Sequence, residues 1–185
     1  MSRKSLLAVS LAVSAILIAM PVRAERADRE KPVNLEADKI TVDDARKIHV
    51  FEGNVQLTQG TLIIKADKLV VTQDADGYQV GVATGGPGGL SRFRQKREGL
   101  DEYIDGEAER IENDGKADKS EFFGRAKIRS GQDEVRGQYI SYDGKTENYI
   151  VTNGPRGTVA TGAKSERVHA VIQPKKRDPG AKAPN

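Results

Sequence analysis

Apolar and polar residues alternate along this chain in short runs with a period of two. Val33, Leu35 and Ala37 alternate with Asn34, Glu36 and Asp38; Phe51, Gly53, Val55 and Leu57 alternate with Glu52, Asn54, Gln56 and Thr58; Leu62, Ile64 and Ala66 bracket Ile63 and Lys65. Successive side chains of an extended strand point to opposite faces, so this pattern predicts strands buried on one face only. Turn signals separate the runs at Asp43-Asp44, Thr58-Gln59-Gly60, Asp74-Ala75-Asp76-Gly77, Gly85-Gly86-Pro87-Gly88-Gly89, Asn113-Asp114-Gly115, Ser130-Gly131, Asp143-Gly144 and Asn153-Gly154-Pro155. No helical period lies between them, so the chain reads as all-β with many short strands.

The runs are also written twice. One offset of 71 residues aligns Ala37 with Ala108, Phe51 with Phe122, Gly53 with Gly124, Gly60 with Gly131, and Ile64 with Val135. A smaller unit of 29 residues recurs inside each half, relating Ala37-Asp-Lys-Ile40 to Ala66-Asp-Lys-Leu69, and Ala108-Glu-Arg-Ile111 to Gly137-Gln-Tyr-Ile140. A shared offset over several independent positions marks a structural repeat. Within the small unit, the first residue and the aliphatic residue three places on cannot share a face of a regular strand. A bend or bulge is therefore expected at Asp38-Lys39 and Asp67-Lys68, with one strand ending and the next beginning at that corner.

The N-terminus bears on the compartment. Arg3 and Lys4 precede an apolar run from Leu6 to Met20, and Val22-Arg23-Ala24 places small residues at the positions a signal peptidase reads. The expectation is a signal peptide over residues 1–24, cleaved after Ala24. The run is short of the ~20 residues of a comfortable membrane span, and with no cysteine there is nothing to acylate. Removing Arg3, Lys4 and Arg23 from the 30 basic residues leaves 27, equal to the 27 acidic ones. A mature chain with no net charge gives little support to nucleic-acid binding. Without cysteine no disulfide staples an exported fold, so strand ladders and a core must hold it. The segment PKKRDPGAKAPN, residues 174–185, reads as a solvated, disordered tail, leaving one domain over residues 25–173.

The segments KPVNLEADKITVD, FEGNVQLTQGTLIIKADKLVV, GEAERI and GRAKIRSGQDEVRGQYISYDG, which cover most of Lys31 to Gly144, resemble the OstA-like family of periplasmic lipopolysaccharide-transport proteins. The first copy carries the match more strongly than the second, where Arg125-Ala126 stands in place of Asn54-Val55. Within the family, a cleavable leader, a single domain and a polar Lys-rich tail set this chain apart from LptC, which keeps an anchor, and from LptD, which continues into a large barrel. The resemblance implies a twisted antiparallel β-jellyroll, an open V-shaped sandwich of two sheets. It implies a periplasmic bridge component that binds lipopolysaccharide through lipid A and associates with itself head to tail. LptC is then expected at the N-terminal edge and LptD at the C-terminal edge, with no catalysis and no cofactor.

The residues expected along the interior are Val33, Leu35, Phe51, Val55, Leu57, Leu62, Ile64, Leu69, Val71, Phe93, Phe122, Ile128, Ile140 and Tyr142. On periodicity alone they form an ordinary closed core; the resemblance turns some of them toward lipid, Val33, Leu35 and Phe93 above all. The strand Lys31 to Ala37 and the segment Gly157 to Val171, with Val159, Val168 and Val171, are the candidate joining edges. A scaffold whose interior is only a core is the reading from a different class.

Motifs for chemistry are weak. Gly144-Lys145-Thr146 lacks the glycine a phosphate-binding loop needs five places earlier, where Tyr139 stands. Asp74-Ala75-Asp76-Gly77 has Thr72 and Ala83 where a calcium loop needs acids. His49 and His169 have no ligand spacing, so no metal site is expected. Acid pairs such as Asp101-Glu102 and Asp133-Glu134 could serve a glycan hydrolase only if the fold set them across a cleft. The basic cluster Arg92 to Arg97 could meet headgroup phosphates or lie in a solvated loop.

Overall fold

A computed structural model of the chain describes residue 28 and residues 31–75, 77, 79–162 and 167–174. The leader with its cleavage site, and the expected tail beyond Pro174, lie outside the described residues. In chain order the strands are β1 (Asn34–Glu36), β2 (Lys39–Asp43), β3 (Ile48–Gln59), β4 (Leu62–Gln73), β5 (Gln79–Thr84), β6 (Ser91–Lys96), β7 (Tyr103–Ala108), β8 (Arg110–Asp114), β9 (Lys119–Ser130), β10 (Asp133–Asp143), β11 (Asn148–Thr152) and β12 (His169–Val171). Every pairing is antiparallel. Short 3-10 turns occupy Pro87–Gly89 and Pro155–Gly157, at the two Gly-Pro signals.

Four strands are long, and each changes neighbours half-way. The first half of β4 pairs with β6 and its second half with β5; β9 does the same with β8 and β7, β3 with β2 and β1, and β10 with β12 and β11. Two layers result, folded over a common corner. One runs β2-β3-β4-β5-β8-β9-β10-β11 and the other β1-β3-β4-β6-β7-β9-β10-β12. Between them the pairings β4-β5-β8-β9-β7-β6 close a ring of six. This is the expected antiparallel jellyroll.

The corner is built by the repeat. In β3 the residues Gly53 and Asn54 lie opposite the single Asp67 of β4, and in β9 Gly124 and Arg125 lie opposite the single Gln138 of β10. Both glycines and both following residues have positive φ (80° and 45°, 71° and 46°), the backbone that turns a strand at a bulge. At Asp38-Lys39 one strand ends and the next begins, as expected; at Asp67-Lys68 the strand continues, and the extra residue of the bulge belongs to the facing strand β3. β1 ends before Asp38 and β7 before Glu109, whereas β4 and β10 run on through Asp67 and Gln138. In β4 the bulge lets Ala66 and Leu69 both face inward while Asp67 and Lys68 between them are exposed.

Candidate functional site

Rows of side chains run across the inner faces at right angles to the strands. In the first layer, cross-strand partners connect Ile40, Phe51, Leu69, Ala83, Ile111, Phe122, Ile140 and Val151. In the second, they connect Leu35, Leu57, Ile64, Phe93, Gly106, Ile128, Val135 and Ala170. The rows meet face to face. Phe93 stands edge-on to Phe122 at 5.5 Å and to Tyr142 at 6.3 Å between ring centroids. Gly106 is required here, since a Cβ on it would lie 2.4 Å from Phe122. An apolar interior thus runs unbroken from one pair of edge strands to the other.

Of the interior residues expected from sequence, Phe51, Val55, Leu57, Leu62, Ile64, Leu69, Val71, Phe93, Phe122, Ile128, Ile140 and Tyr142 are buried in one cluster. Val33 and Leu35 are half-buried against it, at its N-terminal end. Sequence reasoning missed the far ends of the rows. On the edge strand β2, Ile40 and Val42 are 52% and 55% exposed, and on the edge strand β11, Val151 is half-buried. Val159, Val168 and Val171 near the other C-terminal edge are exposed as expected. The recurrence of Ile40 and Val42 in the 29-residue unit was a signal for the first edge; nothing in the sequence says that a strand lies at the end of its sheet.

Opposite the corner the layers end in two rows of hairpin turns, which form the lips of a mouth. Residues 43–48, 73–75 with 77 and 79, 114–119 and 143–148 make one lip, and residues 59–62, 96–103 and 130–133 the other. In three turns of the first lip an aspartate side chain accepts backbone N–H groups, at Asp43, Asp114 and Asp143. For Asp143 these bonds, chiefly from Thr146, hold the carboxyl below its ordinary pKa. Over the N-terminal half the mouth is open. A cleft of about 470 Å³ enters there, with Val33, Leu57, Leu62, Ile64 and Val71 in its walls and Gln59, Gln79, Gln95, Asn113, Lys116 and Lys145 among its polar lining. That volume lies within the ~300–1,000 Å³ of small-molecule sites.

Over the C-terminal half the lips are joined. Arg97, on the β6–β7 loop, donates from Nε at 3.0 Å and from Nη2 at 2.8 Å to Oε2 of Glu147, on the β10–β11 turn. The Glu98 backbone N–H donates to the other oxygen of the same carboxylate at 2.7 Å. These bonds raise the Arg97 pKa, against a smaller opposing effect of partial burial. Tyr142 lies beneath them at 3% exposure, its pKa pushed up first by burial and then by the Glu147 charge.

The basic cluster Arg92 to Arg97 is therefore divided. Arg92 and Arg94 project outward from β6 while Phe93 between them is buried, Lys96 pairs with Asp101 at 3.3 Å, and Arg97 reaches Glu147. The acid pairs considered for hydrolysis also face cations: Glu102 contacts Arg97, and Glu134 contacts Arg129 and Arg136. Among the described residues no group of three or more histidines and carboxylates could hold a metal.

Comparison with known proteins gives a consistent result. The family model described as LptA/(LptD N-terminal domain) LPS transport protein matches residues 34–148. The lipopolysaccharide export system protein LptA of Escherichia coli K12 is 30% identical over 132 residues, covering 71% of this chain and 70% of its own length. LptH of Pseudomonas aeruginosa is 26% identical over 165 residues, covering 89% of each. A crystal structure of that organism's LptH, described as the LptA homologous periplasmic component, shares the fold with a TM-score of 0.71 at 23% identity, over 80% of this chain and 99% of the other. The leader-like N-terminus fits that periplasmic setting. The match over residues 34–148, the identity with LptA and the jellyroll itself together make this chain a member of the LptA/LptD N-terminal domain family of lipopolysaccharide transport proteins.

Proposed function

We propose that the domain, residues 25–173 after removal of a leader, is a non-catalytic unit of a periplasmic bridge that carries lipopolysaccharide with its acyl chains in the interior between the layers. Carrying a lipid through water means hiding its chains, at about 0.8 kcal/mol per methylene, so a chain of a dozen methylenes requires on the order of 10 kcal/mol of shielding. Aliphatic side chains offer non-directional contact that permits sliding. The observation that carries the reading is the pair of apolar rows that cross all eight strands of each layer and end at the edges in Ile40 and Val151, Leu35 and Ala170. Val33, Leu57, Leu62, Ile64 and Val71 at the open cleft are the first of the expected residues a chain would reach.

The edges give the reading its partners. β1 and β2 at one end and β11 and β12 at the other have unpaired backbone groups that a like edge can satisfy. A second copy added head to tail would extend both apolar rows, and such a contact builds a filament because it does not close. LptC then adds at the N-terminal edge and LptD at the C-terminal edge.

The test is photo-crosslinking in cells making labelled lipopolysaccharide, with the reactive residue at Leu35, at Leu62 or at Lys65, which faces outward from β4. Adducts at Leu35 and Leu62 without one at Lys65 are expected. Exported, folded protein with no adduct anywhere would return the interior to a plain core and the protein to a scaffold.

A further inference from the structure

We infer that Arg97 and Glu147 form a latch over the C-terminal half of the mouth, and that a phosphorylated acyl lipid opens it by taking the place of the Glu147 carboxylate on the Arg97 guanidinium. The inference rests on the interior being a lipid path and says where that path is controlled.

The two residues are 50 positions apart and belong to opposite lips, so their bonds hold the layers together rather than the turn of either. At 28% and 19% side-chain exposure the pair is screened less than a surface ion pair. It stands above the contact between Phe93 and Tyr142, where the layers touch. The open cleft reaches the interior beside Val33, Leu62 and Val71, and its polar lining extends as far as Lys145, on the turn that carries Glu147. A lipid that enters there and moves toward β11 and β12 must pass under the joined lips, with its headgroup outside. Glu147 and Arg97 lie across that passage.

Arg97 is suited to an exchange. A guanidinium binds phosphate in the same two-pronged geometry in which it binds carboxylate. Its Nη1 is also held at 3.3 Å by Glu102, on its own loop. When Glu147 leaves, Glu102 keeps the guanidinium at the lip. Lys145, on the turn of Glu147, adds positive charge along the mouth. A group with two or more negative oxygens can therefore replace the carboxylate, and an acyl chain without one cannot.

The experiment uses the full mature protein, which has no cysteine of its own. Spin labels on Leu100→Cys and Thr146→Cys, both exposed and on opposite lips, report the width of the mouth. Lipid A and its enzymatically dephosphorylated form are the probes. Lipid A is expected to widen the mouth and the dephosphorylated form to bind at least tenfold more weakly, the scale of a lost charge-assisted pair. Glu147→Gln should widen the mouth without lipid and keep the preference for phosphate; Arg97→Ala should widen it and abolish the preference.

A short bis-maleimide joining Arg97→Cys and Glu147→Cys should stop transfer to a second copy while leaving crosslinking at Leu62 intact. An unchanged distance in Glu147→Gln, or a phosphate preference that survives Arg97→Ala, would overturn the latch while lipid binding itself stood. Absence of binding by either lipid to any variant would overturn the lipid path and the latch together.

Discussion

At the corner of the first copy of the 71-residue unit, Asn54 donates to Asp38 at 2.8 Å and the Asp38 N–H donates to the Gly53 carbonyl at 2.9 Å. At the corner of the second, Arg125 donates to Glu109 at 2.7 Å and the Glu109 N–H donates to the Gly124 carbonyl at 3.0 Å. Each residue has been exchanged for a longer one of the same sign or polarity, and the bend is the same. The surroundings are not. Phe51 stands near the β2 edge at 5% exposure, and Phe122, with strands on both sides, at zero; Ala37 is half-buried and Ala108 fully buried. The apolar walls of the open cleft, Leu57, Leu62, Ile64 and Val71, come from the first copy, while the second contributes only polar lining such as Asn113, Lys116 and Lys145. One unit therefore makes an accessible end and a closed body, and what separates them is position in the sheet.

The largest test of that difference is truncation of the two phenylalanines. Phe122→Ala should cost about 3–5 kcal/mol, because its ring packs on Phe93 and fills the space above Gly106. Phe51→Ala should cost clearly less, since an end can collapse or admit water. Urea titration of both would settle the order, and equal costs would mean that the first copy is as closed as the second.

The corner glycines should behave alike where the phenylalanines do not. A Cβ on Gly53 would meet Asp38 at 2.3 Å and one on Gly124 would meet Glu109 at 2.4 Å, both at positive φ. Alanine at either should cost roughly 1–3 kcal/mol. A difference of more than about 1 kcal/mol between them, beyond the usual scatter of equivalent sites, would show that the corners are not equivalent.

Tyr142 occupies the position that Val71 holds in the first copy, and it gives the second copy a dependence on alkaline pH that Val71 cannot give the first. Burial raises its folded pKa above the ordinary value of 10.0. A raised tyrosine contributes stability in full below about pH 10, and that stability is lost as the pH climbs toward the folded value, because the unfolded chain releases the proton first. Tyr142→Phe should remove this part of the alkaline slope in thermal melts between pH 9 and 11. A slope that persists unchanged would assign it to other groups.

Smallest are the exposed corner contacts themselves. Asn54→Ala and Arg125→Ala should each cost about 0–1 kcal/mol, and double-mutant cycles with Asp38 and Glu109 should give similar coupling in both copies. Coupling well above that in one copy would mean that its bend depends on the side chains and not on the bulge.

Much of the fold was legible because it depends on local rules. Alternation gave the faces, the Gly, Asn and Asp clusters gave the turns, and the broken alternation at Asp38-Lys39 and Asp67-Lys68 marked the bend, although the bulged residues themselves, Gly53-Asn54 and Gly124-Arg125, lie on the facing strands. The site was legible in part: the sequence named the interior residues but not their access. Leu62 and Leu69 come from the same strand and the same pattern, yet Leu62 lines the cleft and Leu69 lies deep in the core. Arg97 read as one more residue of a basic cluster, although its neighbours Arg92 and Arg94 face the other way along the strand.

What the sequence determined by itself, then, was the strand pattern, the double copy and the bend, since each arises from side-chain period and backbone preference within a few residues. Tertiary structure alone decided which strands became edges, where the mouth stayed open, and that Arg97 meets Glu147. Those depend on which segments lie side by side after folding, and contacts between residues 50 apart leave no periodic trace in the chain.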